Sequence, residues 1–137
     1  FLFPGATELL RGLRARGVRL GIVSTKTGET IEYIMDRLGL GDCLDFVIGS
    51  SDVKHHKPHP EGLEMALDQL GLPPERVLYC GDTVLDAEAA QRAGLEFAAV
   101  LNGTTPASAF DVWPHVFLAR DLDALARFLE GRTRPAV

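Results

Sequence analysis

A doubly wound α/β domain built on a parallel sheet is the fold class the sequence predicts, on three observations. Short apolar runs alternate with amphipathic segments along the chain, glycine and proline punctuate the junctions, and 137 residues suffice for one core. A chain of this size buries roughly two-thirds of the surface it exposes when unfolded. Strands alternating with helices imply right-handed crossovers and a sheet covered on both faces. In such sheets ligands bind beyond the carboxyl ends of the strands, so the residues that follow each strand are the candidates for function.

Leu9, Leu10 and Leu13 recur at helical spacing after Pro4-Gly5, and Arg16-Gly17 closes that segment. The run Val18 to Ser24 is too short for a typical helix and reads as a strand ending in the polar loop Ser24-Thr25-Lys26-Thr27-Gly28. Ile31, Ile34, Met35 and Leu38 follow at i, i+3, i+4 and i+7 before Gly39, a helix whose stripe is expected in the core. Phe46 to Gly49 is a second strand, and Pro60 opens a helix carrying Leu63, Leu67 and Leu70 up to Gly71. Val77 to Cys80 is a third strand, Ala87, Ala90 and Ala93 mark a small-residue helix, and Phe97 to Leu101 is a fourth strand. Val116 to Ala119 is a weaker fifth. Asp121 caps a closing helix with Leu122, Leu125, Phe128 and Leu129 on its apolar face. Residues 1–130 thus form one core domain and 131–137 a frayed tail.

Composition narrows the function. A net charge of -5 argues against a nucleic-acid binder, and no apolar stretch is long enough to span a bilayer. A small polar or anionic ligand must then be held by local positive charge. Cys43 and Cys80 read as reduced, core-packed thiols, which fits a cytoplasmic setting. The start, Phe1-Leu2-Phe3-Pro4-Gly5, has neither a secretory signal pattern nor an initiator methionine, so the natural beginning is expected upstream.

Four polar residues fall just past strands: Ser24, Lys57, Asp82 and Asp86. With a helix starting near Thr83, both carboxylates project from its first turn. At roughly 6 Å they repel by about 3 kcal/mol at an effective dielectric of about 20, so the arrangement calls for a cation or protons. Oxygen ligands of this kind suit Mg2+. Equally, Thr83-x-x-Asp86 reads as a capping box with Asp82 favouring the positive helix end, and both readings can hold at once. Lys57, in Lys54-His55-His56-Lys57-Pro58-His59-Pro60, could neutralise a phosphoryl group, or be a solvent-facing lysine. The neighbouring histidines read as solvated, their spacing being irregular for zinc. Ser24 and Thr25 could donate to phosphate oxygens, or simply end a strand in a Ser/Thr turn. Cys80 reads as packed, without a histidine base.

In this order the residues resemble the haloacid dehalogenase superfamily, in particular its phosphoglycolate phosphatase-like and pyrophosphatase-like branch. Gly21-Ile22-Val23-Ser24-Thr25-Lys26 is similar to the second motif, Lys57-Pro58-His59-Pro60-Glu61 to the third and Gly81-Asp82-Thr83-Val84-Leu85-Asp86 to the fourth. The resemblance implies that Ser24, with Thr25, binds phosphate, that Lys57 steadies phosphate and nucleophile, and that Asp82, supported by Asp86, binds Mg2+. Asn102-Gly103 resembles a rim loop to which no role is assigned. The family's first motif, a strand with the nucleophilic aspartate at the centre of the sheet, has no counterpart in these residues, and neither has the cap inserted after it. That strand would lie between those ending at Ser24 and Asp82, so the sheet is expected to be interrupted there, with unpaired backbone on both sides.

The expected function is Mg2+-dependent hydrolysis of a small phosphorylated metabolite through an aspartyl-phosphate intermediate in the parent protein, these residues alone being inactive. The alternative is a truncated, non-catalytic domain that binds phosphate or a protein partner. A receiver-type signalling domain shares the alternation but carries its acidic pair at the first strand, whereas here the pair follows the third. Oligomeric state is not encoded in any feature of the sequence.

Overall fold

The computed structural model describes residues 5–101 and 103–132. Among them, helices α1 (Ala6–Ala15), α2 (Gly28–Arg37), α3 (Glu61–Leu70), α4 (Val84–Ala93) and α5 (Leu122–Glu130) alternate with strands. The strands are β1 (Gly21–Val23), β2 (Phe46–Ile48), β3 (Leu78–Gly81), β4 (Glu96–Val100) and β5 (Phe117–Ala119). All pairings are parallel, which gives the doubly wound α/β architecture that the alternation implies. Pro4, Asn102 and the tail residues 133–137 lie outside the described residues.

The helix starts follow capping chemistry. Asp121 accepts from Ala124 N–H at the start of α5, as the sequence suggests, and the Thr27 hydroxyl, in the loop after β1, accepts from Thr30 N–H at the start of α2. Strand β1 is shorter than the expected run from Val18 because pairing begins only where Gly21 meets Phe46. Just before it, Leu20 N–H donates to the Asp45 side chain at 2.8 Å, a bond that ties the chain without extending the ladder. The stripe of α2 also needs correction. Ile31 and Met35 are buried, but Leu38 is 43% exposed and Leu40, beyond the helix, takes the core position instead. The helix ends at Arg37, so Leu38 no longer follows the helical face.

The sheet is in two pieces, β2-β1 and β3-β4-β5, and no described strand joins β1 to β3. The interruption falls where the sequence places it. Both pieces are held from above and below. On one face, Leu9 and Leu13 of α1 pack with Leu78, Ala98 and α5, while Leu10 packs with Ile22 and α2. On the other face, Leu63 and Leu67 of α3 pack with Val23 of β1 and with Phe97, Ala99 and α4. Burying side chains such as Leu63 and Leu125 contributes about 1.5–3 kcal/mol each. The small residues of α4 (Ala87, Ala89 and Ala90, all fully buried) let that helix approach β3 and β4 closely, which fixes where its first turn presents Asp86.

Candidate active site

The carboxyl ends of β1, β2 and β3 and the loops that follow them form one rim. Strand β3 ends at Gly81, and Thr83 caps α4 by accepting from Asp86 N–H at 3.3 Å while Asp86 accepts in return, a complete capping box. Asp86 is buried to 5% exposure. Its Oδ2 accepts from Asp82 N–H and Thr83 N–H, both at 3.2 Å, and from the Thr83 hydroxyl at 3.0 Å. Its Oδ1 accepts from Lys57 Nζ at 2.6 Å and from the Tyr79 hydroxyl at 3.1 Å. A Cβ on Gly81 would lie 2.5 Å from this carboxylate, so only glycine lets the end of β3 close over it.

Asp82 is placed differently. It is half-buried, and no described residue donates to its carboxylate. Its Oδ2 would lie 2.7 Å from a Cβ on Gly103, so the loop after β4 presses backbone against it and leaves no room for a side chain there.

Lys57 reaches the site from the loop before α3, whose backbone is pinned at several points. The Glu61 carboxylate accepts from Lys54 N–H at 3.0 Å and from His55 N–H at 2.9 Å. These bonds, the one from Lys54 foremost, hold the Glu61 carboxyl below the usual carboxylate range. A His56 ring nitrogen meets Ser50 C=O at 3.0 Å, and Arg92 Nη1 donates to Pro58 C=O at 3.3 Å. The Lys57-Pro58 peptide is cis. His55 and His56 are exposed, as expected, but His59 is half-buried and accepts from Glu61 N–H at 3.1 Å, which places it at the start of α3. Lys57 is therefore not solvent-facing: its side chain is 15% exposed and paired with Asp86.

Ser24 follows β1 and stays tied to β2 through Ser24 N–H to Ile48 C=O at 3.0 Å. Its hydroxyl accepts from Lys26 N–H at 3.1 Å, the Ser/Thr turn that the sequence allows. Ser24, Thr25, Gly49, His55, His56 and Lys57 line one recess. The structure thus joins Ser24 and Thr25 to Lys57 across this recess, and Lys57 to Asp86 and Asp82 through the bonds above.

Residues 1–100 match the family described as haloacid dehalogenase-like hydrolase. The chain belongs to that family. This haloacid dehalogenase-like hydrolase is 32% identical over 112 residues to phosphoglycolate phosphatase of Escherichia coli strain K12, a match covering 82% of this chain and 44% of the relative. It is 38% identical over 94 residues to phosphoglycolate phosphatase of Salmonella paratyphi A, covering 69% of this chain and 37% of the relative. It thus spans less than half the length of these curated relatives. A crystal structure from Bacteroides fragilis described as a haloacid dehalogenase-like hydrolase superposes with a TM-score of 0.88 at 41% identity, covering 91% of this chain and 60% of that one. A superfamily hydrolase from Ehrlichia chaffeensis gives 0.80 at 26% identity, with 96% and 58% covered.

In this family member the two candidate metal carboxylates separate. Both oxygens of Asp86 already accept from protein donors, five hydrogen bonds in all, an engagement that suits the supporting place beneath Asp82 that the resemblance implies. Asp82, with no described donor and the Gly103 backbone against it, would fit as one of the one or two carboxylates by which Mg2+ is held when water and phosphate complete its shell. Among the described residues no three His, Cys, Asp or Glu side chains cluster into a protein-only cage.

Cys80 also departs from expectation. It is exposed on β3. Tyr79 is the residue beside the candidate site that sequence reading passes over, and Gly103 is one it notes without assigning a role. Tyr79 sits in an apolar strand where its ring is the ordinary reading, and Gly103 follows a strand as any turn glycine does.

Proposed function

We propose that the protein containing these residues is a Mg2+-dependent phosphatase that hydrolyses a small phosphate ester through an aspartyl-phosphate intermediate. The observation that carries this reading is that Ser24, Thr25 and Lys57 line one recess while Lys57, Tyr79, the capping box and the Asp82 backbone N–H all converge on Asp86. Ser24 and Thr25 donate hydrogen bonds to the oxygens of the bound phosphoryl group. Lys57, held on one side by Asp86, offsets the charge that develops on that group. Asp82 holds the cation, with Asp86 orienting it through the Asp82 backbone N–H. When bound, Mg2+ supplies Lewis-acid neutralisation of the phosphoryl oxygens.

The nucleophilic carboxylate comes from a segment outside these 137 residues and enters between the free edges of β1 and β3. It attacks phosphorus as the ester oxygen leaves, and water then cleaves the acyl phosphate. The phosphoglycolate phosphatase relatives support a small phosphorylated acid as substrate, and the free thiols of Cys43 and Cys80 support a reducing, cytoplasmic setting. No helix among the described residues is long and apolar enough to cross a membrane.

The test is release of phosphate from a generic aryl phosphate by the full-length protein. Turnover should require Mg2+ and be abolished by Asp82→Ala. Unchanged turnover in that variant would remove Asp82 from the site. Binding of phosphate without turnover by the full-length protein would favour the non-catalytic alternative. The 137-residue chain alone should release none.

A further inference from the structure

We infer that Tyr79 is a positioning residue whose hydroxyl locks Lys57, Asp86 and the end of β1 into one geometry. The inference rests on the phosphatase reading of the same rim and adds to it a residue that none of the three motifs contains. The Tyr79 hydroxyl lies 2.9 Å from Lys57 Nζ, 3.1 Å from Asp86 Oδ1 and 3.4 Å from Val23 C=O. These groups come from the loop before α3, the first turn of α4 and the last residue of β1, directly before Ser24. Strands β1 and β3 share no described ladder bond, so this phenol is a polar contact that spans the two pieces of the sheet at the level of the site.

The proton inventory makes the arrangement directional. Lys57 has only hydrogens to give, so it donates to the Tyr79 oxygen and to Asp86, and the phenol's single proton goes to Asp86 or to Val23 C=O. Burial, and then the Asp86 charge beside it, hold the Tyr79 phenol well above its ordinary pKa, so it remains a donor through the physiological range. The ring is held by packing: it lies 6.3 Å from the Phe97 ring and against the apolar cluster of α3, α4 and β4. Tyr79→Phe therefore keeps the packing and removes only the node.

The test has two arms. In the full-length protein, Tyr79→Phe should lower kcat for an aryl phosphate by roughly 10- to 100-fold, the cost of a small misplacement of catalytic groups, with KM nearly unchanged. Tyr79→Leu should be no less impaired. Full activity in Tyr79→Phe alongside loss in Tyr79→Leu would make Tyr79 a packing residue and overturn the inference, as would a Tyr79→Phe loss confined to KM. The second arm needs no turnover. In the 15N-lysine-labelled full-length protein, exchange of the Lys57 ammonium hydrogens with water should speed up severalfold in Tyr79→Phe. An unchanged rate would overturn the inference. Wild-type protein that cleaves no phosphate ester would instead refute the phosphatase reading, with the exchange measurement still deciding Tyr79.

Discussion

Removing the Asp86 carboxylate should destabilise the fold far more than removing its neighbour Asp82. Asp86→Ala leaves the Lys57 ammonium, 15% exposed, without the partner it meets at 2.6 Å. Breaking a buried ion pair from one side costs about 3–5 kcal/mol, because the surviving charge remains desolvated. The same change removes the acceptor for Asp82 N–H, Thr83 N–H and the Thr83 hydroxyl, and losing a capping interaction costs about 1 kcal/mol more. These terms share one carboxylate and are not strictly additive, which sets the expectation at roughly 4–6 kcal/mol. In a domain of ordinary stability, about 5–15 kcal/mol, that loss can abolish folding, so Asp86→Asn provides the graded measurement. The amide keeps an acceptor for the cap and gives up the charge, for an expected loss of about 2–3 kcal/mol. Asp82→Ala removes a half-buried carboxylate that no described residue hydrogen-bonds, and should shift stability by no more than about 0.5 kcal/mol. Urea unfolding of the 137-residue chain, followed by circular dichroism at pH 7, measures all three. Asp86→Asn within about 0.5 kcal/mol of wild type, or Asp82→Ala as damaging as Asp86→Asn, would refute this division of labour.

Two further outcomes follow from the same geometry. Asp45 accepts from Leu20 N–H at 2.8 Å and from Arg14 at 2.9 Å, and although burial opposes them, these bonds leave its carboxyl below the usual value. Its contribution is thus present above the unfolded-state pKa of about 3.9 and lost as pH falls through the lower folded value. The urea midpoints of wild type and Asp45→Asn should differ at pH 7 and converge toward pH 2, and a gap that widens on acidification would contradict the assignment. A Cβ on Gly49 would lie 2.2 Å from Gly28 N and 2.8 Å from Thr27 C, so Gly49→Ala must push the start of α2 away at a cost of about 1–3 kcal/mol. Gly12→Ala, whose Cβ meets nothing within 4 Å on an exposed helix face, should instead stabilise by about 0.5–1 kcal/mol. Equal effects of the two substitutions in urea unfolding would show that the contact between the β2 end and α2 is not tight.

The alternation of elements was legible because it rests on local signals, Gly39 and Gly71 stopping helices, Asp121 starting one and short apolar runs between, whereas the position of the interruption in the sheet was legible only through the family resemblance. What escaped is set by contacts distant in sequence. Leu38 continues the helical spacing, but its exposure depends on where α2 ends and on Leu40 filling the core instead. Cys80 sits in an apolar run, yet its side chain is exposed, which the run by itself does not record.

The same limit applies to the two carboxylates. The repulsion between Asp82 and Asp86, four residues apart at a helix start, argued for a cation without saying which would hold it; the capping-box reading and the resemblance set Asp86 in the supporting place, without the contacts that hold it there. The difference lies in Lys57 and Tyr79, 29 and 7 residues from Asp86, which converge on one of its oxygens while the capping box fills the other. Charge neutralisation of Asp86 is thereby built into the protein. Asp82, against the backbone of Gly103 and without a described donor, has no such protein partner, and that asymmetry is why the proposed function gives the cation to Asp82.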